Sequence, residues 1–149
     1  MTGRRGYRGY ISSRPVGGDR VPQAVQNLVV RDFARRRGLD FLLSATEYVM
    51  PGSYLMLEQV VDELPAIAGA ILYSMVQLPE GRARRLGLLR RALASGAVLY
   101  AALEDLRLAD EDDLRRWEDI ALVRQALPRC PRSLASSAMP VDVHNVNKL

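Results

Sequence analysis

Cysteine (Cys130), histidine (His144), lysine (Lys148) and tryptophan (Trp117) each occur once among the 149 residues of this chain. A single cysteine cannot form an internal disulfide, so a reducing, cytoplasmic compartment is expected. A lone histidine without partner ligands at metal spacing argues against a zinc centre. No metal or cofactor is expected from any other part of the chain. Cys130 has no histidine placed to activate its thiol and reads as a small packed residue. Long hydrophobic runs are missing too. The best, Ala66 to Tyr73, has the length of a buried strand and falls far short of the 18 or more apolar residues of a membrane span. No apolar stretch follows the basic start Met1-Thr2-Gly3-Arg4-Arg5, so no secretory signal is expected.

What is present is arginine. With one lysine in a Lys+Arg total of 21, nearly all basic charge is guanidinium, and the formal net charge is +4. Clusters occur at Arg4, Arg5 and Arg8, at Arg35 to Arg37, and at Arg82, Arg84, Arg85, Arg90 and Arg91. The last two fall on helical stretches interleaved with apolar positions. They read either as solvated helix faces or as a patch for an anionic polymer. Apolar content of 48% in a chain of this length suits one globular domain.

Hydrophobic periodicity alternates between strand and helix along the chain, as expected for an α/β fold with a mostly parallel central sheet of four to five strands flanked by helices. Strand segments are expected at Tyr7–Ser12, Leu39–Ser44, Gly69–Ser74 and Ala97–Leu103. A first helix starts near Pro22 and runs to about Arg37, with Val25, Leu28, Val29 and Phe33 inward. A second, about Ser53–Leu64, buries Leu57, Val60, Val61 and Leu64; a third, Glu80–Ser95, buries Leu86, Leu89 and Leu93. A last helix, about 111–127, opens on Asp110-Glu111-Asp112-Asp113, which suits its positive end, and buries Leu114, Trp117 and Ala121. Residues 1–5 read as a basic tail, 6–128 as the domain, and 129–149 as a second tail without periodicity.

In open α/β sheets, function gathers at the carboxyl ends of the strands, near the point where strand order reverses. The polar residues expected there are Ser12, Ser13 and Arg14 after the first strand, and Ser44, Thr46, Glu47 and Tyr48 around the second. The third adds Ser74 and Gln77, and the fourth Glu104 and Asp105. The loop Arg14 to Arg20 contains Gly17 and Gly18 and precedes a helix N-terminus, so it is either an anion seat strengthened by Arg14 and Arg20 or a plain connection. Glu47, read as following a strand end in a semi-apolar loop, is the candidate acid or base, with Ser13 the candidate nucleophile; the alternative is a solvated or ion-paired carboxylate. Adjacent Glu104 and Asp105 point to opposite sides and make a poor metal site.

The order of elements over residues 6 to 127 resembles the catalytic domain of serine recombinases, the resolvase and invertase group. The landmarks are Gly9-Tyr10 in the first strand, a glutamine-bearing helix (Gln23, Gln26), Pro51-Gly52, Ile71-Leu72-Tyr73-Ser74, and Gly96. The resemblance implies a flavodoxin-like strand order. It also implies chemistry that needs a serine nucleophile and several arginines on the scissile phosphate. That chemistry does not carry over. In register from Tyr10, Ser12 replaces the first arginine, Arg14 the nucleophile and Met50 a third position, and Val76-Gln77-Leu78-Pro79-Glu80 replaces an arginine-rich stretch.

A second resemblance is to the sporadic carbohydrate cluster proteins, a family associated with surface-polysaccharide and sugar biosynthesis. Its residues are Tyr7 to Pro15, Arg20-Val21-Pro22-Gln23, Val25-Gln26-Asn27, Leu43 to Tyr48, Leu72-Tyr73-Ser74 and Cys130-Pro131. Through it Tyr10 and Gln23 join the candidate binding residues. It implies a context, glycan assembly or modification, and no reaction. The polar rim and the glycine-bearing loop point within that context to an anionic sugar or nucleotide sugar as ligand, held by Arg14 with Glu47 as acid or base. The alternative is a non-catalytic partner of a carbohydrate-pathway enzyme, and a homodimer is compatible with both. A third alternative is a DNA-binding resolvase-like domain without catalysis, though nucleic acid is not the expected partner.

Overall fold

The computed structural model describes residues 3–16, 18–48, 50 and 53–127. The expected tail at 129–149, with Cys130, His144 and Lys148, lies outside the described residues, as do Gly17, Pro51 and Gly52. The chain divides into two compact units, Met1–Glu118 and Asp119–Leu149.

The elements in chain order are β1 (Tyr7–Ser12), α1 (Gln23–Arg36), β2 (Phe41–Glu47), α2 (Leu55–Glu63), β3 (Gly69–Leu72), α3 (Arg82–Ala94), β4 (Val98–Ala101), β5 (Leu106–Leu108) and α4 (Glu111–Ala126). Short 3₁₀ turns at Leu64–Ala66 and Met75–Gln77 lead into and out of β3. They form one sheet in the order β2-β1-β3-β4-β5, parallel from β2 to β4 and antiparallel at β5. The chain steps outward from β1 to β2, then crosses back to place β3 on the other side of β1. This reversal opens a crevice beyond the carboxyl ends of β1 and β3. Among the described residues no helix is long and apolar enough to cross a membrane.

Successive strand residues face opposite sides of the sheet, and each side finds its own helices. Ile11, Ile71, Tyr73 and Ala102 cluster with Val30, Phe33 and Ala34 of α1. Tyr10, next to Ile11, faces the side of α2, whose Leu57, Val60 and Val61 are buried together with Leu64. Each such fully buried side chain contributes on the order of 1.5–3 kcal/mol.

Four local expectations are corrected. β2 begins later and ends later than Leu39–Ser44. The amide of Leu39 donates to the Ala34 carbonyl (2.8 Å) and so belongs to the exit from α1, while pairing with β1 extends the strand until Glu47 lies opposite Ser12. Thr46 and Glu47 are therefore strand residues, not loop residues. β5 was not expected as a separate element. It is three residues long and follows a turn in which Asp105 adopts φ 55°, so it carries almost no periodic signal.

Both α1 and α3 are rotated from the apolar phase. α1 buries Gln26, Val30, Phe33 and Ala34, leaving Val25 and Leu28 exposed, because the Gln26 carboxamide is bonded to the end of β1. α3 buries Arg85, Leu88, Leu89 and Ala92, with Leu86 and Leu93 half-buried, because Arg85 is paired with Glu118.

Candidate functional site

Glu47 ends β2 as a buried carboxylate aimed at the start of α2. It accepts the backbone amide of Met56 at both oxygens (3.1 Å each) and that of Leu57 at Oε1 (3.1 Å). Tyr10 in the neighbouring strand donates its hydroxyl to the same Oε1 at 3.0 Å. Tyr54, the residue before α2, offers no side-chain cap of its own, so Glu47 does that work from across the sheet edge and places negative charge at the helix's positive end. Burial, and secondly the adjoining carboxylate, push the Tyr10 hydroxyl far above its ordinary pKa of 10.0, so it stays a neutral donor. Ser13 is half-buried, its Oγ 3.5 Å from the Glu47 carbonyl oxygen.

Behind the crevice runs a chain of buried polar groups. The Gln26 Oε1 accepts the Ser12 amide (3.0 Å), and its Nε2 donates to the Ser12 carbonyl (2.6 Å) and the Val21 carbonyl (2.9 Å). Gln77 donates its Nε2 to the same Gln26 Oε1 at 2.8 Å. Gln77 and Ser74 form a reciprocal cap on the turn after β3: the Ser74 amide donates to Gln77 Oε1 and the Val76 amide to Ser74 Oγ. Ser74 Oγ also donates to Glu104 (2.6 Å), whose other oxygen accepts the Met75 amide. Ser12, Gln26, Ser74 and Gln77 are all at most 2% exposed. These groups satisfy one another, as buried polar groups must.

In front of that chain lies an open cleft of about 680 Å³, lined by Arg14, Pro15 and Gly18 after β1, Tyr54 before α2, Val76 to Gly81 in part, and Arg84 of α3. The Arg14 guanidinium lies 3.9 Å over the Tyr54 ring and that of Arg84 lies 4.8 Å from the same ring. Arg14 Nη2 donates to the carbonyls of Met50 and Ser53, while its Nη1 is buried without a hydrogen-bond partner. The cleft is closed on one side by the N-terminus of α3. That helix has Gly81 as N-cap, no side-chain cap, and no acidic residue in its first turn. Instead Arg82, Arg84 and Arg85 crowd the positive end of the helix dipole, the reverse of the usual preference. Arg85 is held by a bidentate pair with Glu118 (2.6 and 2.9 Å), which raises its pKa, and its Nη1 donates to the carbonyls of Pro79 and Glu80 in the cleft wall.

Of the residues expected from the sequence, the fold brings Arg14 to the cleft and sets Ser12, Ser74, Gln77 and Glu104 directly behind it. Tyr10 and Glu47 meet each other, but as the cap of α2. Ser44 lies within β2 and donates to Asn27 (2.7 Å); Thr46 is half-buried in the same strand. Gln23 is half-buried at the start of α1, and Arg20 and Tyr48 are exposed. Sequence reasoning passed over Gln26 as a site residue and missed Tyr54, Arg84 and the α3 N-terminus. An arginine-rich first turn without a capping residue was the legible signal for the last two. Among the described residues no group of three or more acidic, histidine or cysteine side chains could hold a metal ion.

No family model matches the chain, and no curated protein matches it. Solved structures do. The N-terminal catalytic domain of TP901-1 integrase superposes with a TM-score of 0.59 at 13% identity, over 82% of this chain and 96% of that one. The fold is that of a resolvase-type recombinase domain. A resolvase-family site-specific recombinase from Streptococcus pneumoniae agrees, with a TM-score of 0.58 at 9% identity over 95% and 99% of the two chains. At such identities the shared property is the resolvase-type fold.

Proposed function

We propose that this resolvase-type domain binds a phosphate-bearing ligand, an anionic sugar or nucleotide sugar, in the cleft between Arg14, Tyr54 and Arg84, and that it does not exchange DNA strands. The observation that carries the reading is the meeting of two guanidiniums, Arg14 and Arg84, on the Tyr54 ring beside the N-terminus of α3, which has no side-chain cap. One bound oxyanion would face those two guanidiniums and the positive end of the helix together, while Arg85, and more loosely Arg82, are already matched by Glu118. The cleft volume is in the range that takes a ligand of nucleotide size, and its apolar walls, Pro15, Val76, Leu78 and Pro79, suit the less polar part of such a molecule.

Against strand exchange stand the residues themselves. By the recombinase resemblance Arg14 stands in register with the nucleophile, Ser13 lying one residue away, and Ser12 is a buried member of the polar chain. The sugar-pathway context rests on the sequence resemblance to the sporadic carbohydrate cluster proteins.

Isothermal titration with inorganic phosphate, pyrophosphate, uridine diphosphate and a uridine diphosphate sugar tests the reading. Binding of the nucleotide sugar is expected. The Arg14→Ala variant is expected to weaken it about 10- to 100-fold, the worth of a charge-assisted hydrogen bond of roughly 1.5–3 kcal/mol. No binding of any of the four would overturn the proposal. Salt-sensitive binding of duplex DNA in their place would favour the nucleic-acid alternative.

A further inference from the structure

We propose that Gln26 and Gln77 are positioning residues that hold the two walls of the cleft at a fixed separation; the role rests on the ligand-binding reading of that cleft. One wall is the segment after β1 that begins at Arg14; the other is the turn after β3 that carries Val76 and Leu78. The last backbone rung joining these strands is Tyr73 N to Tyr10 O (3.1 Å). Beyond it the strand ends separate, and the side-chain amides continue the link. From the first wall, the Arg14 amide donates to Ser12 Oγ (3.1 Å), and both backbone groups of Ser12 are bonded to the Gln26 carboxamide. From the second, the Val76 amide donates to Ser74 Oγ, and the Ser74 amide is capped by Gln77. The single Gln77 Nε2 to Gln26 Oε1 bond at 2.8 Å joins the two halves.

The amide is the functional group this junction requires. Gln26 uses both acceptor sites of its oxygen, for Ser12 N and Gln77 Nε2, and both N–H groups of its nitrogen, for Ser12 O and Val21 O. A carboxamide with all four capacities used cannot flip without opposing a donor to a donor, so its orientation is fixed. The site is also almost dry: Gln26 is 0% and Gln77 2% exposed. Hydrogen bonds in such surroundings are stiff and couple to one another. A displacement of the Val76 turn is thereby transmitted to the backbone from which Arg14 projects, although the two residues lie on different loops.

The tie is read without any ligand by residue-resolved amide hydrogen exchange on the full chain. Gln77→Met preserves volume and breaks the junction. It is expected to speed exchange of the Arg14 amide, on the opposite wall, about tenfold or more. Gln26→Met is expected to do the same to Val76. Gln77→Glu, which sets an acceptor against Gln26 Oε1, is a second variant that breaks the junction with no change in size. In titrations with uridine diphosphate the Gln77 variants are expected to raise Kd about tenfold. Exchange that quickens only on the mutated wall would overturn the inference. So would transmitted exchange with an unchanged Kd. Failure of the unaltered protein to bind any phosphate compound would instead refute the ligand reading, while the exchange result would still decide whether the tie exists.

Discussion

Glu47 is the residue for which sequence and structure suggest different roles, and its replacement separates them. The carboxylate accepts from three donors: the Tyr10 hydroxyl and the amides of Met56 and Leu57. Glu47 is 3% exposed, so water cannot replace the carboxylate without rearrangement. Each buried donor left unsatisfied costs about 1–3 kcal/mol. With three donors affected, Glu47→Ala should therefore lose roughly 3–9 kcal/mol, a large share of the 5–15 kcal/mol typical of a whole domain. Glu47→Gln keeps one accepting oxygen but turns an NH₂ group toward an amide donor, and should lose about 1–2 kcal/mol. Tyr10→Phe removes one donor and leaves the two amide bonds intact, at about 1 kcal/mol. Guanidinium unfolding followed by far-ultraviolet dichroism and by the emission of Trp117 would order the three variants. The capping argument is wrong if Glu47→Ala falls within 1 kcal/mol of the parent. It is equally wrong if Glu47→Gln keeps full stability yet abolishes a reaction, since that pattern belongs to an acid or base.

Three further outcomes follow from the same packing. Because the Tyr10 pKa is raised in the folded state, its contribution is fully present below the ordinary value of 10.0 and is lost as pH rises above it. Equilibrium unfolding between pH 10 and 11.5 should thus show stability falling with a steeper slope for the parent than for Tyr10→Phe, by up to about 1.4 kcal/mol per pH unit. Glu118→Ala leaves the buried Arg85 guanidinium without its carboxylate and should cost about 3–5 kcal/mol, whereas the double change Arg85→Met with Glu118→Leu should lie much closer to the parent in denaturant midpoint. Gly69→Ala would set a Cβ 1.9 Å from the Val98 carbonyl oxygen in the adjacent strand and should abolish or severely reduce soluble folded protein, while Gly87→Ala, with nothing within 4 Å in mid-helix α3, should stabilise by about 0.5–1 kcal/mol in thermal unfolding.

The strand-helix alternation was legible in the hydrophobic periodicity, whereas the adjacency of β1 and β3 followed from the flavodoxin-like strand order that the recombinase resemblance implies. β1 and the buried face of α2 were read residue for residue. The phases of α1 and α3 were not. Apolar periodicity selects Val25, Leu28 and Leu86, whereas the fold buries Gln26 and Arg85, each held by a long-range polar partner invisible to local pattern. The same reason hides much of the site. Gln77 stands out in the sequence for its place at a strand end, but its bond to Gln26 spans 51 positions of sequence. Glu47 is visible in the sequence as a lone carboxylate, but local pattern ends β2 at Ser44, three residues short, and so puts Glu47 in a loop. Arg14 needed no such distant information: a guanidinium just past β1, at the reversal of strand order, is a local feature.

The margins of the sheet bear on whether a further strand can add to it. On one side β5 is three residues long, too short to template a further ribbon. On the other, β2 offers seven residues, but its pairing with β1 slips between Arg8 and Gly9, so Leu43 is left over as a bulge, 80% exposed, with its carbonyl engaged by Arg8. A bulge twists the margin and breaks the even spacing of outward N–H and C=O groups that an incoming strand would need. Edge-to-edge strand pairing is thus impeded at both margins by geometry.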